Sequence, residues 1–268
     1  MSLFHLFLVA VIQGITEFLP VSSSGHLILL PILTGMEDQG QVIDVAVHVG
    51  TLFAVMLYFR DDVALALGGL PRLLQGKTDT PGSRLMFLLV IATIPVVVAG
   101  FILQITGLTD SLRSITVIGW AMLLFGLVLY RVDQTGPEER TAPEWSLKHA
   151  VVMGLWQAIA LIPGTSRSGA AISGARALGY KREDAARLSM LMSIPTIIAS
   201  GILLGAEVVF TADAQAARDG AIAAVLSFGA ALLALTLMMR LLKSVSFTPY
   251  VIYRVILGVI LLGIAYTS

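Results

Sequence analysis

The sequence predicts an all-α integral membrane protein. Six transmembrane helices and two re-entrant helical hairpins form an inverted-topology repeat, with halves at about 1–135 and 145–268 of a single membrane domain. Three observations predict this. Hydrophobic residues fill 57% of the 268 positions and charged residues only 13%, with a mean hydropathy of +0.90, whereas a soluble domain carries about 25% charge. Two apolar segments are each interrupted by a break rich in Pro, Ser and Gly. Lys and Arg gather on one side of the arrangement the spans define. The net charge is zero, so bulk charge predicts no nucleic-acid partner. The absence of cysteine excludes disulfides and thiolate metal sites. No basic stretch precedes the apolar run that begins at Leu3, so a cleaved signal peptide is not expected.

In chain order, residues 3–19 are apolar but broken by Gly14, Thr16, Glu17 and Pro20, and 26–33 resume the apolar pattern. Each piece is shorter than the ~20 residues a crossing needs. The pair therefore reads as a hairpin that enters and leaves on one side, a geometry tolerated at membrane depth only inside protein or a wet cavity. A loop at 34–43 precedes a first span at 44–59, started by Asp44. A polar connection covers 60–84, and spans follow at 85–105 and 115–130. A second polar loop, 131–148, carries the breakers Gly136, Pro137 and Pro143. The second half repeats the plan, with an interrupted segment at 149–178 and spans near 186–206, 221–242 and 250–266. A hairpin returns to its own side and three crossings are odd, so the halves sit upside down relative to each other.

With the N-terminus outside, the outer loops, 34–43, 106–114 and 207–220, hold only Arg113 and Arg218. The inner loops and helix ends hold fourteen cations: Arg60, Arg72, Lys77, Arg84, Arg131, Arg140, Lys148, Arg176, Lys181, Arg182, Arg187, Arg240, Lys243 and Arg254. The positive-inside rule then places both termini on the outer side. Small residues in the spans permit close helix packing and, with it, a homodimer.

The two breaks carry the chemistry. The first runs Gln13-Gly-Ile-Thr-Glu17-Phe-Leu-Pro20-Val-Ser22-Ser23-Ser24-Gly25-His26; the second runs Pro163-Gly164-Thr165-Ser166-Arg167-Ser168-Gly169, six residues after Gln157. Aligning the two glutamines sets Ser22–Gly25 on Ser166–Gly169. Glu17 is a costly carboxylate at membrane depth, which marks a polar interior. Gln13 lies four residues earlier on the same helix face, a pair suited to holding a cation or a water. Pro20 ends the first short helix, and Ser22, Ser23 and Ser24 open the next, where free N–H groups and the positive dipole end receive anions. Serine is also a common N-cap. Ser23 is the best placed nucleophile, with Glu17 or His26 as its base; a metal-bound water is the alternative.

His26 follows the serines closely enough to act as acid, base or nucleophile. His48, alone in the first span, is assigned a structural role, and His5 and His149 an interfacial one. Arg167 needs an anion, either Glu17, a substrate phosphate, or both in turn. Its guanidinium suits bidentate phosphate binding. Gly164 and Gly169 admit close backbone approach, and Thr165, Ser166 and Ser168 add polar groups. The sequence has no Walker loop, no His-Glu-x-x-His and no Gly-x-Ser-x-Gly elbow.

These two motifs, Gln13-x-x-x-Glu17 leading to Pro-Val-Ser-Ser-Ser-Gly-His26, and Pro163-Gly-Thr-Ser-Arg-Ser-Gly, resemble those of the undecaprenyl-diphosphate phosphatase family, also called bacitracin-resistance proteins. The likeness extends over the whole length, except that the family's closing Thr falls on Ala171. The resemblance implies a multi-pass enzyme of the bacterial inner membrane. Such an enzyme removes the terminal phosphate from undecaprenyl diphosphate and so recycles the lipid carrier of peptidoglycan synthesis. It also implies a divalent cation, Mg2+ or Ca2+. Glu17 and Gln13 would then serve the metal or the base, and Ser23 or His26 the attack or proton transfer. Arg167 would hold the diphosphate, with Ser166 and Ser168 assisting. A transporter or flippase of a phosphorylated lipid is the rival reading, because inverted repeats with broken helices also build transporters.

Overall fold

The computed structural model describes residues 1–35, 37–211 and 214–267. The chain is all-helical: among the described residues the only β pairing is an isolated bridge between Arg140 and Tyr180. Among the described residues, six helices are long and apolar enough to cross a membrane: α3 (Gly40–Tyr58), α5 (Pro81–Thr106), α7 (Ile115–Thr135), α10 (Arg182–Thr211), α11 (Ala214–Leu241) and α12 (Thr248–Thr267). Their outward faces stay apolar. Along α5, Val90, Ile94, Val97, Val98, Phe101 and Ile102 are all exposed, a continuous surface that suits lipid and not water.

The remaining helices are short. α1 (Leu3–Thr16) and α2 (Ser23–Thr34) flank the first break, and α8 (Leu147–Ile159) and α9 (Arg167–Ala177) flank the second. α1 is capped by Ser2, which accepts from the His5 amide, and α8 by Ser146, which accepts from the His149 amide. The first helix ends at Thr16, earlier than Pro20, so Glu17 is its C-cap and residues 17–21 form a tight turn. The first span begins at Gly40 instead of Asp44, one turn sooner, and the Gln39 amide donates to the Asp44 carboxylate across that first turn.

The 60–84 connection is not a loop. Residues Arg60–Leu74 form α4, whose Gly69 lies against Gly82 of α5 so closely that an added Cβ would sit 2.1 Å from backbone atoms. Its polar content hid an amphipathic helix. Beyond it, hydrogen bonding from Arg72 holds the exposed Asp79 carboxyl below its usual range. A five-residue helix, α6 (Leu108–Leu112), joins α5 to α7. The loop expected at 207–220 is largely helical as well, and its positions 212–213 fall outside the described residues, as does position 36 of the 34–43 loop.

The core packs α3 on α11, α7 on α12 and α1 on α11. Small residues allow this. A Cβ on Gly14 would meet Ala230 at 2.6 Å and one on Gly50 would meet Ser227 at 2.1 Å. Around this core run Phe18, Val55, Leu129, Met190, Leu235 and Met238, all buried.

Candidate active site

Each break is built on the same local device. Ser22 and Ser166 both have φ of +74°, a region L residues with side chains rarely occupy. Each serine then caps the following helix. Ser22 Oγ accepts from the Gly25 amide at 3.3 Å, and Ser166 Oγ accepts from the Gly169 amide at 3.1 Å. Ser24 lies 3.4 Å from Ser22 Oγ, and Ser168 lies 3.1 Å from Ser166 Oγ. Holding a serine at positive φ costs of the order of 1–3 kcal/mol and persists only when the surroundings fix it, a pattern common at functional sites. Gly164, at φ +92°, brings the second break against α7, where a Cβ would lie 2.5 Å from the Ile118 carbonyl.

The side chains that follow the caps meet on one carboxylate. Ser23 Oγ donates to Glu17 Oε2 at 2.6 Å, and Arg167 Nη2 donates to Glu17 Oε1 at 2.9 Å across 150 residues of sequence. Gln13 Nε2 donates to Glu17 Oε2 at 2.8 Å. The N-termini of α2 and α9 therefore converge, and two positive dipole ends face one point. A cavity of about 190 Å³ opens here, lined by Glu17, Ser23, Ser24, His48, Gln157 and Arg167, among others. Larger cavities, of about 800 and 470 Å³, lie among charged residues such as Asp62, Arg182 and Arg187; their carboxylates and guanidiniums already pair with one another, as in Arg187–Asp62 and Arg182–Glu138.

Two residues lining the 190 Å³ cavity carry open polar atoms: Arg167 Nη1 and Gln157 Oε1 are buried and have no hydrogen-bond partner among the described residues. Thr165 Oγ1 and Gln13 Oε1, in the same two breaks but outside the cavity lining, are also buried without a partner among the described residues. Buried polar groups are normally satisfied, so the open guanidinium nitrogen and amide oxygen at the cavity point to a polar ligand. Ser168 turns back to the Leu19 carbonyl at 2.9 Å and ties the two breaks together.

The geometry brings together Gln13, Glu17, Ser22, Ser23, Ser24, Gly25, Thr165, Ser166, Arg167 and Ser168, with Gly164 supporting the second break. His26 is placed differently. Its Nδ1 donates to the Ser22 carbonyl at 2.7 Å, so its Nε2 accepts from the Tyr253 hydroxyl at 2.5 Å. The two rings stack at 5.7 Å, and His26 does not line the cavity.

Two residues of this region escaped the sequence reading. His48, assigned a structural role, instead lines the cavity, with Nε2 3.8 Å from Glu17 Oε2. An ionisable group within a span was the signal. Arg254, counted among the inner helix-end cations, is fully buried. It donates to the carbonyls of Pro20, Gly164 and Thr165 at 3.3, 3.1 and 2.8 Å, and to Met122 and Ala121 of α7. It clamps both breaks at once. No carboxylate lies within salt-bridge distance of it among the described residues. His5 is buried in the protein, and His149 Nδ1 meets the Tyr180 hydroxyl at 2.7 Å.

A protein from Ruegeria pomeroyi named undecaprenyl-diphosphatase is 72% identical over 267 residues, covering 100% of each chain. One of the same name from Jannaschia sp. is 73% identical over 266 residues, covering 99% of this chain and 100% of its own. One from Maricaulis maris is 47% identical, covering 98% of each. The family model described as bacitracin resistance protein BacA matches residues 6–260. With residues 6–260 matched and relatives this similar over the full length, the chain belongs to the bacitracin resistance protein BacA family.

Proposed function

We propose that this protein hydrolyses undecaprenyl diphosphate to undecaprenyl phosphate and inorganic phosphate, the activity its relatives' names carry. One observation carries the reading. Arg167 keeps one guanidinium nitrogen on Glu17 and leaves the other buried without a partner, beside two helix N-termini. A terminal phosphate supplies the oxygens this set lacks. The polyprenyl tail stays among the exposed apolar faces of the helices while the head group enters the cavity.

The residues then divide the work. The diphosphate draws Arg167 toward itself, which leaves the Glu17 carboxylate without its cation. Glu17 Oε2 takes the Ser23 proton as Ser23 Oγ bonds the terminal phosphorus. The bridging P–O bond breaks and the lipid monophosphate departs. Water then adds its oxygen to that phosphorus, releases inorganic phosphate and restores the Ser23 hydroxyl. Gln13 holds the carboxylate in place, and the helix N-termini with Arg167 face the developing negative charge.

A divalent cation, Mg2+ or Ca2+, fits this donor set. Gln13 Oε1 and the Glu17 carboxylate are hard oxygen ligands. No group of three His, Cys, Asp or Glu forms a cage among the described residues, so such an ion would share its ligands with substrate phosphate oxygens. When bound, it neutralises charge on the diphosphate.

The reading extends to topology. The matched breaks, each followed by three apolar helices, support two re-entrant hairpins in an inverted repeat. The skew of Lys and Arg supports an inner-membrane protein with both termini outside. Arg254 and Arg176, both buried, drop out of that count without reversing it.

Phosphate release from undecaprenyl diphosphate by the purified protein, with and without chelator and beside Arg167→Ala, tests the proposal. Chelator-sensitive release that the variant lacks is the expected result. A folded wild-type protein that releases none, yet moves a phosphorylated lipid across vesicles, defeats it in favour of a transporter.

A further inference from the structure

The imidazole that faces the reaction centre is His48, and the geometry points to it as a further catalytic residue. This inference rests on the phosphatase reading and assigns a role to a side chain outside both motifs. His48 sits on α3, on the wall of the cavity opposite no other ionisable group but Glu17 and Arg167 among the cavity's described lining. Its Nδ1 lies 2.7 Å from the Asp44 carbonyl. A carbonyl only accepts, so Nδ1 carries a hydrogen, and the neutral ring holds its lone pair on Nε2. That lone pair faces Glu17 Oε2 at 3.8 Å. Oε2 is also the oxygen that Ser23 and Gln13 address.

Glu17 Oε2 thus already has two donors, and the acceptor at this cavity that still calls for one is His48 Nε2. The donors the reaction supplies are the Ser23 hydroxyl and the attacking water. We infer that the His48 Nε2 lone pair accepts a hydrogen bond from the attacking water and so aims its oxygen at the phosphorus that Ser23 carries. The helix turn Asp44–His48 pre-sets the ring: the Asp44 carbonyl fixes its tautomer and rotation before substrate arrives. His26 has the same tautomer from the Ser22 carbonyl, yet its lone pair is taken by Tyr253. Of the two rings near the first break, only His48 has a free acceptor at the cavity.

The test measures kcat and KM for phosphate release by the full-length protein in detergent, with thermal unfolding of each variant. His48→Leu removes the acceptor, His48→Gln keeps a side-chain acceptor of similar reach, and His48→Lys keeps only a cation. The expected result is a kcat about 100-fold lower in the Leu variant with KM within about three-fold of wild type, and a Gln variant within about ten-fold of wild type. Three results would overturn the inference: a Leu variant within about three-fold of wild-type kcat, a change confined to KM, or Lys active where Gln is not, which assigns an ion pair with Glu17 instead. Should His48→Leu fail to fold, the Gln against Lys contrast decides alone. Wild-type protein that releases no phosphate defeats the phosphatase reading itself; active wild type with indifferent His48 variants defeats only this inference.

Discussion

Residues 22–25 and 166–169 follow one backbone course: a serine at φ +74°, its hydroxyl on the amide three residues on, and a second serine hydroxyl beside it. They differ at the position after the cap, where the first break has Ser23 and the second Arg167. Both of those side chains end on Glu17, one on each carboxylate oxygen. They differ again four residues past each glutamine. Gln13 meets Glu17, while Gln157, with Leu161 at the position the alignment sets on Glu17, turns to Thr196 at 3.1 Å. A duplicated device thus supplies two helix N-termini. Three unlike side chains then convert the symmetric anion site into one with a nucleophile, a carboxylate and a cation. On the proposed function, the shared helix N-termini receive the phosphate and the unlike side chains carry the chemistry.

The sharpest way to break this comparison is to remove its unlike residues. Arg167→Ala and Glu17→Gln are each expected to lower phosphate release by about 10³-fold. Arg167→Ala also leaves the Glu17 charge buried and alone, so its unfolding midpoint falls, by up to about 3 kcal/mol in stability. Pairing Arg167→Met with Glu17→Gln should restore the midpoint without restoring activity. Recovery of activity in the pair would show that the ion pair is only a strut.

Arg254 tests whether the breaks depend on each other. Arg254→Met strips donors from Pro20, Gly164 and Thr165 together, and each buried acceptor left bare costs about 1–3 kcal/mol. A drop in thermal midpoint with at least a ten-fold loss of kcat, roughly the scale of one misplaced catalytic group, is expected; Arg254→Lys should recover part of both. Unchanged kcat in folded Arg254→Met would show that the breaks hold their geometry separately.

A smaller effect is expected at Gly164→Ala. Its φ of +92° and the 2.5 Å approach to the Ile118 carbonyl together predict a loss of about 1–3 kcal/mol and a weaker site. The equivalent face of the first break carries no such glycine, so this variant perturbs one side only. Smallest of all are Ser22→Gly and Ser166→Gly. Losing the cap costs a few tenths of a kcal/mol, while relief of positive φ returns about 1–3 kcal/mol. Both variants should therefore be at least as stable as wild type and shift by similar amounts in thermal unfolding. A rise in one and a fall in the other would show that the two caps are not the same device.

Much of this was legible beforehand. Six apolar runs became six helices because hydropathy over about 20 residues has few other outcomes. The caps were legible because serine before a helix has a local hydrogen bond to make. The errors have physical causes too. Residues 60–74 looked like a loop because they are polar on one face only, and the apolar face shows itself when Gly69 meets Gly82. Arg254 was read as an end charge because five positions into a span is close to an end. Its partners are carbonyls, which leave no mark in a sequence. His48 passed as structural because its neighbours in sequence are apolar, although the group it faces is Glu17.

The sequence by itself determined that this chain lives in lipid, that it breaks twice with the same capped serine device, and that one carboxylate and one guanidinium would sit where lipid forbids them to be alone. Those are consequences of composition and local hydrogen bonding, which act over a few residues. Only the tertiary structure decided which groups meet: Arg167 on Glu17 across 150 residues, His48 rather than His26 at the cavity, and Arg254 under both breaks. The reason is that a buried polar atom takes whichever partner the packing of helices brings within about 3 Å, and helix packing is set by surfaces contributed from the whole chain.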